Sequence, residues 1–109
     1  MSQHMQEPFK RVSVAEAKEL IASGVQVVDV RTPAEYAQGH IPEAKLVPLD
    51  SILARPHDLL KGDNILFVCQ VGQRSALAAE MAAAVGFKQL YNLDGGTDAW
   101  LKDGQPVAT

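Results

Sequence analysis

Cys69 is followed by Gln70, Val71, Gly72, Gln73, Arg74 and Ser75. The run joins one thiol, one flexible glycine, one fixed cation and a hydroxyl residue suited to open a helix. A thiol attacks only as the thiolate, and its pKa falls beside cations and helix N-termini. A glycine-bearing turn from strand to helix can aim several backbone N–H groups into one concavity, an anion-binding nest. The helix start adds a partial positive charge, and Arg74 adds a full one. The chemistry that suits such a loop is covalent catalysis by an activated thiol, on an anionic substrate or through an anionic adduct. Cysteine is also among the most buried residue types, and at the end of an apolar strand it is commonly core. The residues after Cys69 are what turn the reading toward chemistry.

Cys69 is the only cysteine of the 109 residues. An internal disulfide, a Cys-x-x-Cys redox pair and a multi-cysteine zinc site are therefore excluded. Ten basic and thirteen acidic residues give a net charge of -3. That balance argues against nucleic acid as a partner. Anion binding has to come from the local loop, not from the overall field. No apolar run approaches the ~20 residues of a membrane span, and Met1 to Glu7 lacks the apolar core of a secretory leader. A cytoplasmic protein with no membrane partner is the expectation.

The elements that must position the loop follow from patterning. Phe9 to Val12 predicts a short strand. Ser13 with Glu16 forms a capping box before a helix whose apolar face is Val14, Ala17, Leu20 and Ile21, and Gly24 stops it. Val25 to Val30 predicts a strand buried on both faces. Thr32, Pro33 and Glu35 open a second, short helix that Gly39 ends. Ala44 to Val47 predicts a strand between Pro42 and Pro48. Leu49 to Ala54 predicts a short helix, broken by Arg55-Pro56, and His57 to Asp63 a polar connection. Asn64 to Cys69 is the clearest buried strand. A helix runs from Ser75 to Val85, with alanines that let it lie close on a sheet. Gln89 to Leu93 predicts the last strand. Asp94-Gly95-Gly96 turns the chain, with positive φ expected at the glycines, and Thr97 caps a final helix carrying Trp100 and Leu101. Strand and helix alternate about five times, which argues an α/β fold with a parallel sheet and helices on both faces. The domain is expected over residues 9–106, with a flexible N-terminal segment at 1–8 and a tail at 107–109. In such sheets ligands bind at the carboxyl ends of the strands, where Cys69 falls.

Cys69-Gln70-Val71-Gly72-Gln73-Arg74-Ser75 resembles the active-site loop of the rhodanese-type sulfurtransferases. Val28-Asp29-Val30-Arg31, with Glu35-Tyr36 and Gly39-His40-Ile41-Pro42-Glu43-Ala44, resembles the family's upstream signature. Leu93-Asp94-Gly95-Gly96 with Trp100 resembles the downstream one. The likeness covers roughly Phe9 to Pro106 and is to the single-domain form. It implies a rhodanese-like, five-stranded parallel sheet, with the loop after the fourth strand forming the pocket. It implies that the Cys69 thiolate takes the sulfane sulfur of a donor such as thiosulfate and passes it from a persulfide to cyanide or a thiol acceptor. No metal or organic cofactor is implied. Gln70, Val71, Gly72, Gln73 and Arg74 become candidate substrate-binding residues, and Ser75 the helix start.

Asp29 and Arg31 lie two residues apart on one strand face. The resemblance makes them a structural pair near the pocket, not an acid and base. His40 is read as structural, because an incoming thiolate needs no base. Trp100 is read as core. An alternative function is a persulfide carrier, loaded by a partner desulfurase and weakly active on small donors. A cysteine-based phosphatase or arsenate reductase is a further alternative. Those enzymes resemble this layout but carry five residues between Cys and Arg, where four stand here, and a tighter cradle favours sulfur over a phosphate tetrahedron.

Overall fold

The computed structural model of the chain describes residues 7–109. Alternation gives β1 Lys10–Val12, α1 Val14–Ala22, β2 Gln26–Asp29, α2 Pro33–Gln38, β3 Lys45–Leu46 and α3 Leu49–Ala54, in that order. Then follow α4 Pro56–Leu59, β4 Ile65–Val68, α5 Gln73–Ala84, β5 Leu90–Leu93 and α6 Gly96–Lys102. The five strands form one sheet in the order β1-β5-β4-β2-β3, and every pairing is parallel. The expected fold class is the observed one.

Strand β4 lies in the middle, and all four of its residues are buried. Alternation divides them between two cores. Ile65 and Phe67, with Cys69 beyond them, pack with Ala78, Ala79 and Ala82 of α5 and Ile52 of α3. Leu66 and Val68 pack on the other face with Ala17 of α1 and Trp100 of α6. The alanines of α5 let that helix seat closely, which brings its N-terminus up to the end of β4. The register sets Asp29 beside Val68 and Asn92 beside Phe67. The end of β4 is thus flanked by polar residues from both neighbouring strands.

The structure departs from the sequence expectations at element ends. Helix α5 begins at Gln73, not Ser75, because Gly72 takes a left-handed φ of 104° and turns the chain into the helix at once. The residues 57–63 expected as a connection include most of α4. Pro56 breaks α3 as expected, but its fixed φ also suits the first position of a new turn. Thr97 is not the cap of α6. Gly95, at φ 76°, holds that position, and Thr97 is turned inward. Residues 107–109, expected as a tail, reach back to the domain: His40 and Ala108 exchange backbone hydrogen bonds of 3.0 and 2.8 Å. Of the segment 1–8 expected to be flexible, residues 1–6 lie outside the described residues. Glu7 accepts from Arg11 at 2.7 and 2.8 Å.

Phe67 is fully buried under α5, so Phe67→Ala is expected to destabilise the domain by ~3–5 kcal/mol in urea unfolding. A loss below ~1 kcal/mol would contradict this packing.

Candidate active site

Cys69 is the first residue past β4, and α6 fixes the direction of its backbone. The Thr97 N–H donates to the Cys69 carbonyl at 2.8 Å, and the Thr97 hydroxyl donates to the same oxygen at 3.0 Å. The Asp98 N–H donates to the Gln70 carbonyl at 3.1 Å. These are helix N-terminal donors with no partner inside the helix, and no side chain caps them. They hold two loop carbonyls out of the cavity, which leaves the following N–H groups free to face the sulfur. The approach is close. A methyl group at Gly96 would lie 2.5 Å from the Cys69 carbonyl oxygen, and Gly96 has a φ of 59°.

The Gly72 N–H donates to Cys69 Sγ at 3.1 Å, and the Ser75 hydroxyl lies 3.3 Å from the same sulfur. Burial pushes the thiol pKa up. The Ser75 hydroxyl and the N–H groups of Ser75, Gly72 and Val71 push it down, and together they outweigh burial. The net shift is downward, toward a thiolate at lower pH than for an ordinary cysteine. Asn92, fully buried on β5, closes the rear of the cradle. Its Nδ2 donates to the Gly72 carbonyl at 3.0 Å, and its Oδ1 is a close partner of the Ser75 hydroxyl.

The two nearby arginines are both paired. Arg74 donates from Nη1 and Nη2 to the two carboxylate oxygens of Glu35, at 2.8 and 2.9 Å. Those bonds, with the Thr32 backbone, hold the Glu35 carboxyl down at about 2. Arg31 forks onto the Asp29 carboxylate at 2.8 to 3.1 Å, with both side chains almost wholly buried. Its remaining donors reach the Gly39 carbonyl at 2.8 Å and Gln70 Oε1 at 3.0 Å. Gln70 Nε2 donates onward to Asp98. Gln70 is thereby a strut between β2 and α6. A cavity of about 190 Å³ beside the loop is lined by Arg31, Thr32, Pro48, Leu49, Asp50 and Arg74.

Cys69, Gly72 and Ser75 therefore meet at the sulfur, as does the backbone of Val71. Val71 is 52% exposed, and Gln73 is exposed on the first turn of α5. Asp29 and Arg31 form the expected structural pair. Arg74 stands at the loop, but its guanidinium is engaged by Glu35. Sequence reading placed Glu35 in a capping box, which it does form, and in the upstream signature, but gave it no partner at the loop. It also took Ser75 only as a helix start and Thr97 as a cap, and it passed over Asn92 and Asp98. Asn92 alone carried a usable signal, a polar side chain in an otherwise buried central strand. Among the described residues no group of three His, Cys, Asp or Glu is placed to hold a metal, and no helix is long and apolar enough to cross a membrane.

A parallel α/β sheet with a hydrogen-bonded thiol at the end of its central strand is the architecture of a rhodanese-like domain. The model for the rhodanese-like domain matches residues 13–103. The chain is 36% identical to thiosulfate sulfurtransferase 18 of Arabidopsis thaliana, over 90% of this chain and 82% of that protein. It is 35% identical to the thiosulfate sulfurtransferase GlpE of Ectopseudomonas mendocina, over 84% of each. It also superposes on the human single-domain sulfurtransferase TSTD1 with a TM-score of 0.76 and 29% identity, over 84% of this chain and 95% of that one. The chain belongs to the rhodanese-like domain family, whose relatives here are single-domain sulfurtransferases.

Two outcomes test this geometry. Gly96→Ala is expected to cost more than the ~1–2 kcal/mol of a left-handed backbone alone, because the methyl meets a carbonyl that cannot yield, and to raise the thiol pKa. A variant of wild-type stability would contradict the clamp. Glu35 titrates about 2 natively against 4.5 ordinarily. Between those values the unfolded chain binds a proton that the native one does not. The stabilisation is complete above pH ~4.5 and lost as the pH falls toward ~2. Glu35→Gln should lower stability at neutral pH by no more than ~1 kcal/mol for so exposed a pair, and flatten the acid decline of Tm. Parallel Tm–pH curves for the two proteins would count against it.

Proposed function

We propose that this chain transfers sulfane sulfur through a persulfide on Cys69. The Cys69 thiolate attacks the outer sulfur of a donor such as thiosulfate. The new Sγ–Sδ bond forms as the donor's S–S bond breaks, and sulfite leaves with the electron pair. The negative charge then rests on Sδ, within a loop of N–H donors suited to hold it. An acceptor, cyanide or a thiolate, attacks Sδ, and Cys69 leaves again as thiolate. Neither step moves a proton once the thiolate is present, so neither needs a general base. One cysteine suffices, because the acceptor resolves the persulfide. The observation that carries this reading is the set of donors converging on a single buried sulfur.

A second reading rests on Arg74. Its fork is spent on Glu35, so a small dianion such as thiosulfate meets no unpaired guanidinium at the loop. Val71 meanwhile exposes an apolar side chain next to the nucleophile. A protein donor that docks at the loop and loads Cys69 directly suits those features better than tight thiosulfate binding. The same pairing weighs against phosphatase or arsenate reductase action, which would set an arginine fork on the oxyanion.

Intact mass reads the central claim. After thiosulfate the folded protein should gain one sulfur atom, and cyanide should remove it. Cys69→Ser should fold and gain nothing. An unchanged mass of the wild-type protein with thiosulfate and with protein persulfide donors alike would overturn the proposal. Loading from protein donors alone would select the second reading.

A further inference from the structure

The Ser75 hydroxyl lies within reach of two acceptors, Cys69 Sγ at 3.3 Å and Asn92 Oδ1, yet it carries one hydrogen. The Asn92 amide cannot turn to relieve the conflict. Its Nδ2 is spent on the Gly72 carbonyl, so Oδ1 must face Ser75. All three side chains are buried.

We propose that Asn92 is a positioning residue that governs which way the Ser75 hydroxyl points, and through it how readily the Cys69 thiolate forms and leaves. When Cys69 is a neutral thiol, its S–H donates to Ser75 Oγ and the hydroxyl donates to Asn92. When the thiol loses its proton to solvent, the hydroxyl rotates and donates to Sγ, and Asn92 Oδ1 gives up its partner. The hydroxyl hydrogen stays on Ser75 throughout. For its place in the cycle the inference rests on the persulfide reading. When the persulfide forms, the charge moves from Sγ to Sδ, and the hydroxyl returns to Asn92. When an acceptor removes Sδ, the hydroxyl swings back to the departing Sγ. Asn92 thus opposes the free thiolate and favours the loaded form.

The other charged groups around the loop do not compete for this hydrogen. Glu35 of α2 is paired with Arg74 of α5. Asp29 is paired with Arg31 beyond the end of β2. Asp98 of α6 accepts from Gln70.

The sign of the effect separates this role from a structural one. If Asn92 only braced Gly72, its loss would loosen the cradle and raise the thiol pKa. If it competes for the hydroxyl, its loss frees a donor for the thiolate. The test is the pH dependence of iodoacetamide alkylation of the single cysteine in the wild type, Asn92→Leu, Ser75→Ala and the double variant. It uses no sulfur donor, so its failure is distinct from failure of sulfur loading. With Ser75 in place, Asn92→Leu should raise the thiol's acid dissociation constant relative to its effect in the Ser75→Ala background by about fivefold, the worth of one net hydrogen bond. Equal effects in the two backgrounds would overturn the proposal. Should Asn92→Leu fail to fold, the Asn92 side-chain amide resonance serves instead. It should step at the thiol midpoint in the wild type and lose most of that step in Ser75→Ala. A step of equal size in both would overturn the proposal.

Discussion

Three hydrogen bonds from the first turn of α6 to the carbonyls of Cys69 and Gln70 decide what the rest of the site can do. Backbone carbonyls and amides come in fixed alternation, so an anion nest forms only if something else takes the carbonyls. Here that partner is a helix N-terminus, whose own orphan N–H groups need acceptors. Each side satisfies the other. Gly95 and Gly96 follow from the same constraint. Gly95 turns into the helix at positive φ, and Gly96 leaves room for the Cys69 carbonyl, which any Cβ would strike.

Electrostatics at the sulfur is then local. Burial opposes a charged thiolate, and the donors of the Val71–Ser75 turn offset it. Full charges contribute bracing more than field. Arg31, locked to Asp29, props Gln70, and Gln70 ties onward to Asp98 on the helix that grips the loop. Arg74, locked to Glu35, fastens the start of α5 to α2. A protein of net charge -3 can in this way hold an anion with no surplus of cations.

The parallel sheet, the alternation of strand and helix and the placing of Cys69 at the end of β4 were legible in the sequence, because each rests on local pattern. β4 reads as an apolar run, and Cys69, Gly72 and Ser75 are neighbours in the chain. Beyond the Asp29–Arg31 pair, the bracing was not legible, because it joins residues far apart in sequence. Glu35 meets Arg74 across thirty-nine positions, and Thr97 meets Cys69 across twenty-eight. Glu35 and Thr97 also had adequate local explanations as caps. For Glu35 that explanation was true but incomplete, since one carboxylate serves both the capping box and the arginine. For Thr97 it was wrong, because glycine already supplied the turn. The early start of α5 has a similar origin, since Gly72 needs no side-chain cap when the helix N-terminus faces a sulfur.

Folding makes the thiolate easier to form although it buries the sulfur. With one cysteine in the chain, the rise of thiolate ultraviolet absorbance with pH reports Cys69 alone once the contribution of the two tyrosines, which ionise near pH ~10, is subtracted. The decisive measurement is that titration on the native protein and on the same protein unfolded in denaturant. The native midpoint should lie below the unfolded one. A native midpoint equal to or above the unfolded one would mean that burial wins and the cradle does not activate Cys69.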